Sequence, residues 1–314
     1  MPSLRRRCDH GNGAFRAGDA GGSPLGSSKP DAGFLFGVSE YTTWHWSFGQ
    51  DLANYAAIGV DTIEVCEFKL DNEHYDEQLA RIADSGLTIS SVQPRVHTVY
   101  PDSLEPEPAR PEERMALVRT AIERIGPHAP EGTPFVVNTG AAPGGDFQQA
   151  RDTALREFTL LSDFAAHNGF RIALEPLNPI SMNKSSFIWS LPQALAIAGE
   201  IGRDNFGLCV DCWNIWQDPL MAQHIEQCGN RIFVVQVSDW HTPRSFADRG
   251  IVGSGEIPLT QFLRAVHAAG YEGAVTLEIF SDDSLPDSLW RSNGNDVILR
   301  SKEALTACWE LWQR

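Results

Sequence analysis

The sequence is short of positive charge: 25 Lys and Arg stand against 41 Asp and Glu in 314 residues, a formal charge of −16. So acidic a surface repels nucleic-acid backbones and anionic membranes, which leaves small molecules and metal ions as the partners to expect. Long apolar runs are missing too. No stretch approaches the roughly eighteen consecutive apolar residues a spanning helix needs, so no membrane segment is expected. A disulfide framework is also absent. The six cysteines, Cys8, Cys66, Cys209, Cys212, Cys228 and Cys308, are scattered through apolar segments, and a chain of this length needs no stapling. They read as reduced thiols of a cytoplasmic protein. Cys209 and Cys212 form a CxxC, but no second pair accompanies it and both fall on an expected strand, which favours buried thiols over zinc or redox chemistry.

Residues 1–32 stand apart. They are rich in Gly, Ser and Ala and carry Arg5, Arg6 and Arg7 without an apolar h-region, so they read as a disordered N-terminal tail rather than a secretory signal. The tail holds a charge of +2, leaving −18 for residues 33–314.

From Gly33 onward no Gly/Ser/Pro linker interrupts one repeating alternation. Short runs rich in β-branched and aromatic residues are expected as strands at 34–41, 62–68, 88–94, 134–139, 171–177, 206–212, 232–239 and 274–280. Amphipathic stretches at 51–58, 77–85, 114–125, 150–168, 191–201, 219–227 and 259–269 read as helices, several closing on a glycine (Gly59, Gly86, Gly169, Gly270). Eight βα units in residues 33–314 predict an α/β fold: a single (β/α)8 TIM barrel. The Pro-rich segment 101–111 is expected as a long loop over the active face. Gly253-Ser254-Gly255-Glu256 is expected to be a turn before a helix.

Chemistry in such a barrel sits at the C-terminal ends of the strands. Strand five ends in Glu175, strand six in Asp211, strand seven carries Gln236 and strand eight ends in Glu278. Each is flanked by apolar residues. A single such carboxylate reads as a solvated rim residue or an ion-pair partner, but three on adjacent strands repel one another unless a cation joins them. The set therefore predicts a metal site, with Glu175, Asp211, Gln236 and Glu278 as ligands. Oxygen donors point to one divalent ion, Mn2+ first, with Mg2+ or Co2+ as alternatives.

Further polar residues at the strand ends supply candidates for substrate contact. Glu64, Glu67 and Lys69 follow strand two, Arg95 and His97 follow strand three, Asn138 ends strand four, and Arg244 and Arg249 lie after strand seven. We select Glu67, Arg95, Asn138, Asn214, Trp213 and Arg244 as substrate-binding residues. His97 is selected as a substrate-side acid or hydrogen-bond donor, because imidazole titrates near neutrality; a hydrogen-bonded loop histidine is the competing reading. Arg95 or Arg244 could hold a carboxylate or phosphate, or pair with nearby acids. Trp44, Trp46, Trp213, Trp216 and Trp240 crowd the same end, either as faces for sugar C–H groups or as plugs of the barrel mouth.

The segments Ile172-Ala-Leu-Glu-Pro-Leu-Asn178, Gly207-Leu-Cys-Val-Asp211, Val234-Val-Gln-Val-Ser-Asp239 and Gly253-Ser-Gly-Glu-Ile257, with Leu277-Glu-Ile-Phe280, resemble the xylose isomerase-like TIM barrel superfamily of sugar phosphate isomerases and epimerases. The resemblance covers the chain from about residue 34 onward. It implies metal ligation at positions 175, 211, 236 and 278, with Glu175 and Glu278 as catalytic acid and base. Two positions depart from the pattern. Gln236 stands where most of these isomerases have His, as in the dehydratases of 3-dehydroshikimate, and Asn214 stands where many have His. An endonuclease resemblance fails, because its histidine-rich zinc cluster and positive charge are both missing.

The expected function is therefore a divalent-metal-dependent sugar or cyclitol isomerase or epimerase, working by proton abstraction beside a metal-bound carbonyl. Two alternatives stay open: a lyase of the 3-dehydroshikimate or inosose dehydratase type, and a non-catalytic metal-binding relative. The expected partner is a small carbohydrate or cyclitol, with no nucleic acid and no membrane; self-association as a homo-oligomer is left open.

Overall fold

The computed structural model describes residues 33–313 apart from 183 and 246; the expected tail at 1–32, with Cys8, lies outside the described residues. Eight parallel strands form a closed barrel in sequence order. They are β1 (Phe36–Ser39), β2 (Thr62–Cys66), β3 (Thr88–Gln93), β4 (Pro134–Val137), β5 (Arg171–Leu174), β6 (Phe206–Asp211), β7 (Ile232–Val237) and β8 (Val275–Leu277). Pairing of Phe36 with Val275 closes the ring. Around it run α1 (Phe48–Ala57), α2 (Tyr75–Ser85), α3 (Pro111–Ile125), α4 (Phe147–His167), α5 (Leu191–Ile201), α6 (Cys212–Ile215), α7 (Met221–Cys228), α8 (Leu259–Ala268) and α9 (Gly294–Gln313).

Successive strand residues face opposite sides of a sheet, and here that rule divides the apolar residues into two cores. Outward residues such as Phe135, Val137, Ile172, Leu174, Leu208, Val210, Val235 and Val237 join the helices in the main core. The alternate positions Val136, Ala173, Cys209 and Val234 form a small separate cluster inside the barrel. Two residues further along the same strands lie Asn138, Glu175, Asp211 and Gln236. The period of two therefore stacks a polar layer directly above an apolar floor, at the C-terminal mouth.

Helix boundaries follow the local signals. Ser47 and Gln50 make a reciprocal capping box at α1, and Gly86 ends α2 at φ +80°, a conformation in which a Cβ would be strained. The expected sixth strand does not run to 212. Asp211 accepts a hydrogen bond from the Trp213 N–H, caps α6 and turns the chain out of the sheet. No helix among the described residues is long and apolar enough to cross a membrane.

The loop from β3 to α3 bends over the mouth, as the run of prolines predicted. Its anchor is Arg114, a fully buried side chain on α3. Its guanidinium donates to the carbonyls of Thr98, Glu105 and Pro108 and to the Thr98 hydroxyl, at 2.6–3.0 Å. A buried cation is tolerated only when its donors are used, and here backbone oxygens use them.

Candidate active site

Glu175, Asp211 and Glu278 converge in the barrel mouth, all buried, with one potential ligand atom from each lying within 4.8 Å of the others. The topology brings them together: Asp211 is registered against Gln236 across β6 and β7, and Glu278 follows β8 with its N–H on the Val237 carbonyl. The Asp211 Oδ1 is spent on capping α6. Its Oδ2 accepts from Arg249 at 2.8 Å and from Asn214 at 2.9 Å. Asn214 donates also to Glu175 Oε1 at 2.8 Å, so one amide bridges two members of the triad. Asn138 holds the Glu175 carbonyl at 3.0 Å.

Arg249 is the counter-charge. Its Nη1 reaches Asp211 and, at 3.1 Å, Glu278, while its guanidinium carbon sits about 5 Å from the rings of Trp213 and Phe280. One guanidinium does not neutralise this neighbourhood, because Glu64 is buried on the barrel axis as well, bonded to the Ser91 hydroxyl at 2.6 Å. Burial, reinforced by Asp211, pushes the Glu175 carboxyl up to about 8. Burial raises Glu278 well above the usual range and raises Asp211 and Glu64, against the pull of Arg249 on the first two. Glu175, Asp211 and Glu278 offer three hard oxygen donors close enough together to hold a divalent metal.

Gln236 lies beside the triad. Its amide nitrogen donates to Glu64 at 2.9 Å and to Glu278 at 2.9 Å, and its oxygen accepts the Cys209 S–H at 3.0 Å. Two acceptors on one side and a thiol donor on the other set that orientation. The carbonyl oxygen thus faces away from the triad. Cys209 and Cys212 are free buried thiols, both pushed well up by burial, in keeping with the packing role read from the sequence.

A cavity of about 90 Å3 opens above the triad, lined by Glu175, Glu278, Arg249, Asn138, Asn214, His97 and Trp213 among others. That is room for several waters, the scale of a single sugar ring rather than a polymer. His97 bonds the Pro94 carbonyl through Nδ1 at 3.0 Å, which leaves Nε2 as its second ring nitrogen. Three expected substrate residues do not line this cavity. Glu67 accepts from the Tyr75 hydroxyl and the Arg95 N–H, the Arg95 guanidinium lies over Phe68, and Arg244 pairs with Asp248 and Asp287. Of the tryptophans, Trp44 stacks on Tyr41 and Trp290, Trp46 packs near Tyr55 and Trp216 against Trp240; Trp213 alone of the five lines the cavity. Tyr41, Gln93, Asp102, Leu104, Ser181 and Ser185 complete much of the lining and were not singled out. The first four follow or end strands, or lie in the Pro-rich loop, which was the available signal.

An α/β barrel with a buried acidic triad at its C-terminal mouth defines the class. Residues 52–308 match the family described as Xylose isomerase-like TIM barrel, and the chain belongs to it. Similarity extends to an L-ribulose 3-epimerase of Methylomonas sp. (strain DH-1), 27% identical over 50% of this chain and 54% of that protein. An inosose isomerase of Halalkalibacterium halodurans is 30% identical over 42% and 47% of the two chains. A 3-dehydroshikimate dehydratase of Pseudomonas putida is 27% identical over 74% of this chain and 36% of its own. The chain spans about half the length of the first two. Among solved structures, the IOLI protein with a bound zinc atom matches with a TM-score of 0.71 and 18% identity, covering 89% of this chain and 99% of its own.

Proposed function

We propose that this protein is a divalent-metal-dependent isomerase or epimerase of sugars or cyclitols. The observation that carries the reading is the triad: three buried carboxylates at the ends of β5, β6 and β8, two of which, Glu175 and Glu278, line the cavity while Asp211 does not. That division suits Asp211 to ligation alone and leaves Glu175 and Glu278 for proton transfer as well. The relatives named as an epimerase and an isomerase support the same class. The zinc in the IOLI structure supports metal binding at a fold of this kind. Mn2+ remains our choice of ion for an all-oxygen donor set.

Glu175, Asp211 and Glu278 would hold a divalent ion, whose chemistry when bound would be to polarise a substrate carbonyl and so acidify the neighbouring C–H. Glu175 can take that proton, and Glu278 can return one from its own side. Asn214 holds the Glu175 carboxylate and Asn138 its main-chain carbonyl, which limits the geometry in which Glu175 meets the substrate. His97 can hold a substrate oxygen through Nε2, and Trp213 supplies an apolar wall.

A lyase reading has one observation of its own, the match to a dehydratase over most of this chain, and shares the proton-abstraction step. Solvent-deuterium exchange separates them. The protein is stripped with chelator, reloaded with Mn2+ and incubated with ketoses, inososes and 3-dehydroshikimate in D2O. Deuterium at the carbon beside the carbonyl, or a new epimer, is the expected result, lost in Glu175→Gln and without metal. An enone product instead makes the protein a lyase, and inertness with metal bound makes it a non-catalytic relative.

A further inference from the structure

We infer that the site accepts an uncharged polyhydroxy ketone and refuses phosphorylated or carboxylated substrates. The inference rests on the isomerase reading and adds the charge of the substrate to it. Asp102, Glu175 and Glu278 line the cavity, with Asp211 beside the last two; the opposing charges among the described lining residues are Arg249 and, when protonated, His97. Arg249 is already engaged by two of those carboxylates through Nη1. Carboxylates thus outnumber the cationic side chains among the described residues that line this cavity. An anionic substituent meets no second arginine or lysine among the described lining residues.

The nearby basic side chains are committed elsewhere. Arg95 lies over Phe68, Arg244 is held by Asp248 and Asp287, Lys69 is buried on Asp51, and Arg114 is spent on carbonyls of the β3–α3 loop. Lys184 is exposed and does not line the cavity. What the cavity offers instead are neutral groups, the hydroxyls of Ser181 and Ser185 and the amides of Gln93 and Asn138. Asp102 adds a further acceptor. Its Oδ1 takes the N–H groups of Leu104 and Glu105, and its Oδ2 is buried without a partner among the described residues. An acceptor in want of a donor suits a hydroxyl and opposes a phosphate or carboxylate oxygen, since neither brings a proton at neutral pH. Two like charges about 6 Å apart, at the effective dielectric of a protein site, weaken binding by at least about tenfold.

The test is calorimetric binding to the full-length Mn2+-loaded protein of a ketohexose against its 6-phosphate, and of an inosose against 3-dehydroshikimate. The neutral member of each pair should bind at least about tenfold more tightly. Leu104→Arg, at a lining position that is 55% exposed, should raise the affinity for the phosphate ester several-fold relative to that for the neutral ketose. Equal or tighter binding of the anions to the parent protein overturns the inference and leaves the isomerase reading standing. An unchanged phosphate affinity in Leu104→Arg counts against its electrostatic basis. Failure of both members of both pairs to bind removes the isomerase reading and the inference together.

Discussion

Arg249→Met removes the guanidinium that joins Asp211 to Glu278 and keeps most of the side-chain volume. The two bonds lost are 2.8 and 3.1 Å long and all three side chains are buried. Ligand atoms of the triad lie within 4.8 Å of one another. Two unit charges at that separation repel by about 3.5 kcal/mol at an effective dielectric of 20. Stranding one side of a buried ion pair costs about 3–5 kcal/mol in general, which agrees. At about 2 °C per kcal/mol for a protein of this size, the metal-free variant should melt about 6–10 °C below the parent at pH 8. A proton on either carboxyl relieves the repulsion, so the deficit should shrink toward pH 5. Added Mn2+ restores positive charge at the same place and should raise the melting temperature more in the variant than in the parent. The assay is differential scanning fluorimetry in chelator and in millimolar Mn2+, at three pH values. A variant that melts at the parent's temperature in chelator, or gains no more than the parent from Mn2+, refutes the assignment of Arg249 as the stand-in for metal charge.

The metal-free protein should lose stability with rising pH. The Glu175 carboxyl is raised from 4.5 to about 8, so its contribution is fully present below about 4.5 and disappears as pH climbs through 8; a urea midpoint in chelator that stays level or rises over this range contradicts it. Gln236→Ala should keep stoichiometric metal, because three carboxylates remain, but lose about 2 kcal/mol of stability as Glu64 and Glu278 lose their donor; metal loss by elemental analysis would instead make the amide oxygen a ligand. Arg114→Met should release the β3–α3 loop, raise KM more than it lowers kcat and speed hydrogen exchange at residues 99–105, and unchanged exchange there removes the anchoring role.

The barrel was legible because its signals are local and repeated. Strands and helices announce themselves by periods of 2 and 3.6, Gly86 by the left-handed turn that ends its helix, and Glu175, Asp211 and Glu278 by their place at the ends of strand segments. The cavity walls were harder to read. Arg244 and Arg249 sit five residues apart in one loop with the same chemistry, and only the fold turns Arg249 inward to the triad and Arg244 outward to Asp287. Arg95 and His97 pose the same problem two residues apart. Gln236 was legible as a polar residue on an inward face, but the direction of its amide depends on Glu64, 172 residues away in sequence, and on the thiol of Cys209. Short helix α6 was masked by apolar residues that continue the strand pattern until Asp211 caps the turn.

The clamp that Arg114 places on the β3–α3 loop grips main-chain oxygens at Glu105 and Pro108, which every amino acid at those positions would present. At those two points the path of the loop is independent of what its side chains are, while Asp102 holds the turn that follows it through the N–H groups of Leu104 and Glu105. Position 104 can then be exchanged while the loop stays seated, so the part of the cavity that meets the far end of a substrate can diversify without disturbing the carboxylates on the strands. Such a separation between a fixed reaction centre and a replaceable rim would let one scaffold drift from one polyol to another by single substitutions, each tolerated by the fold.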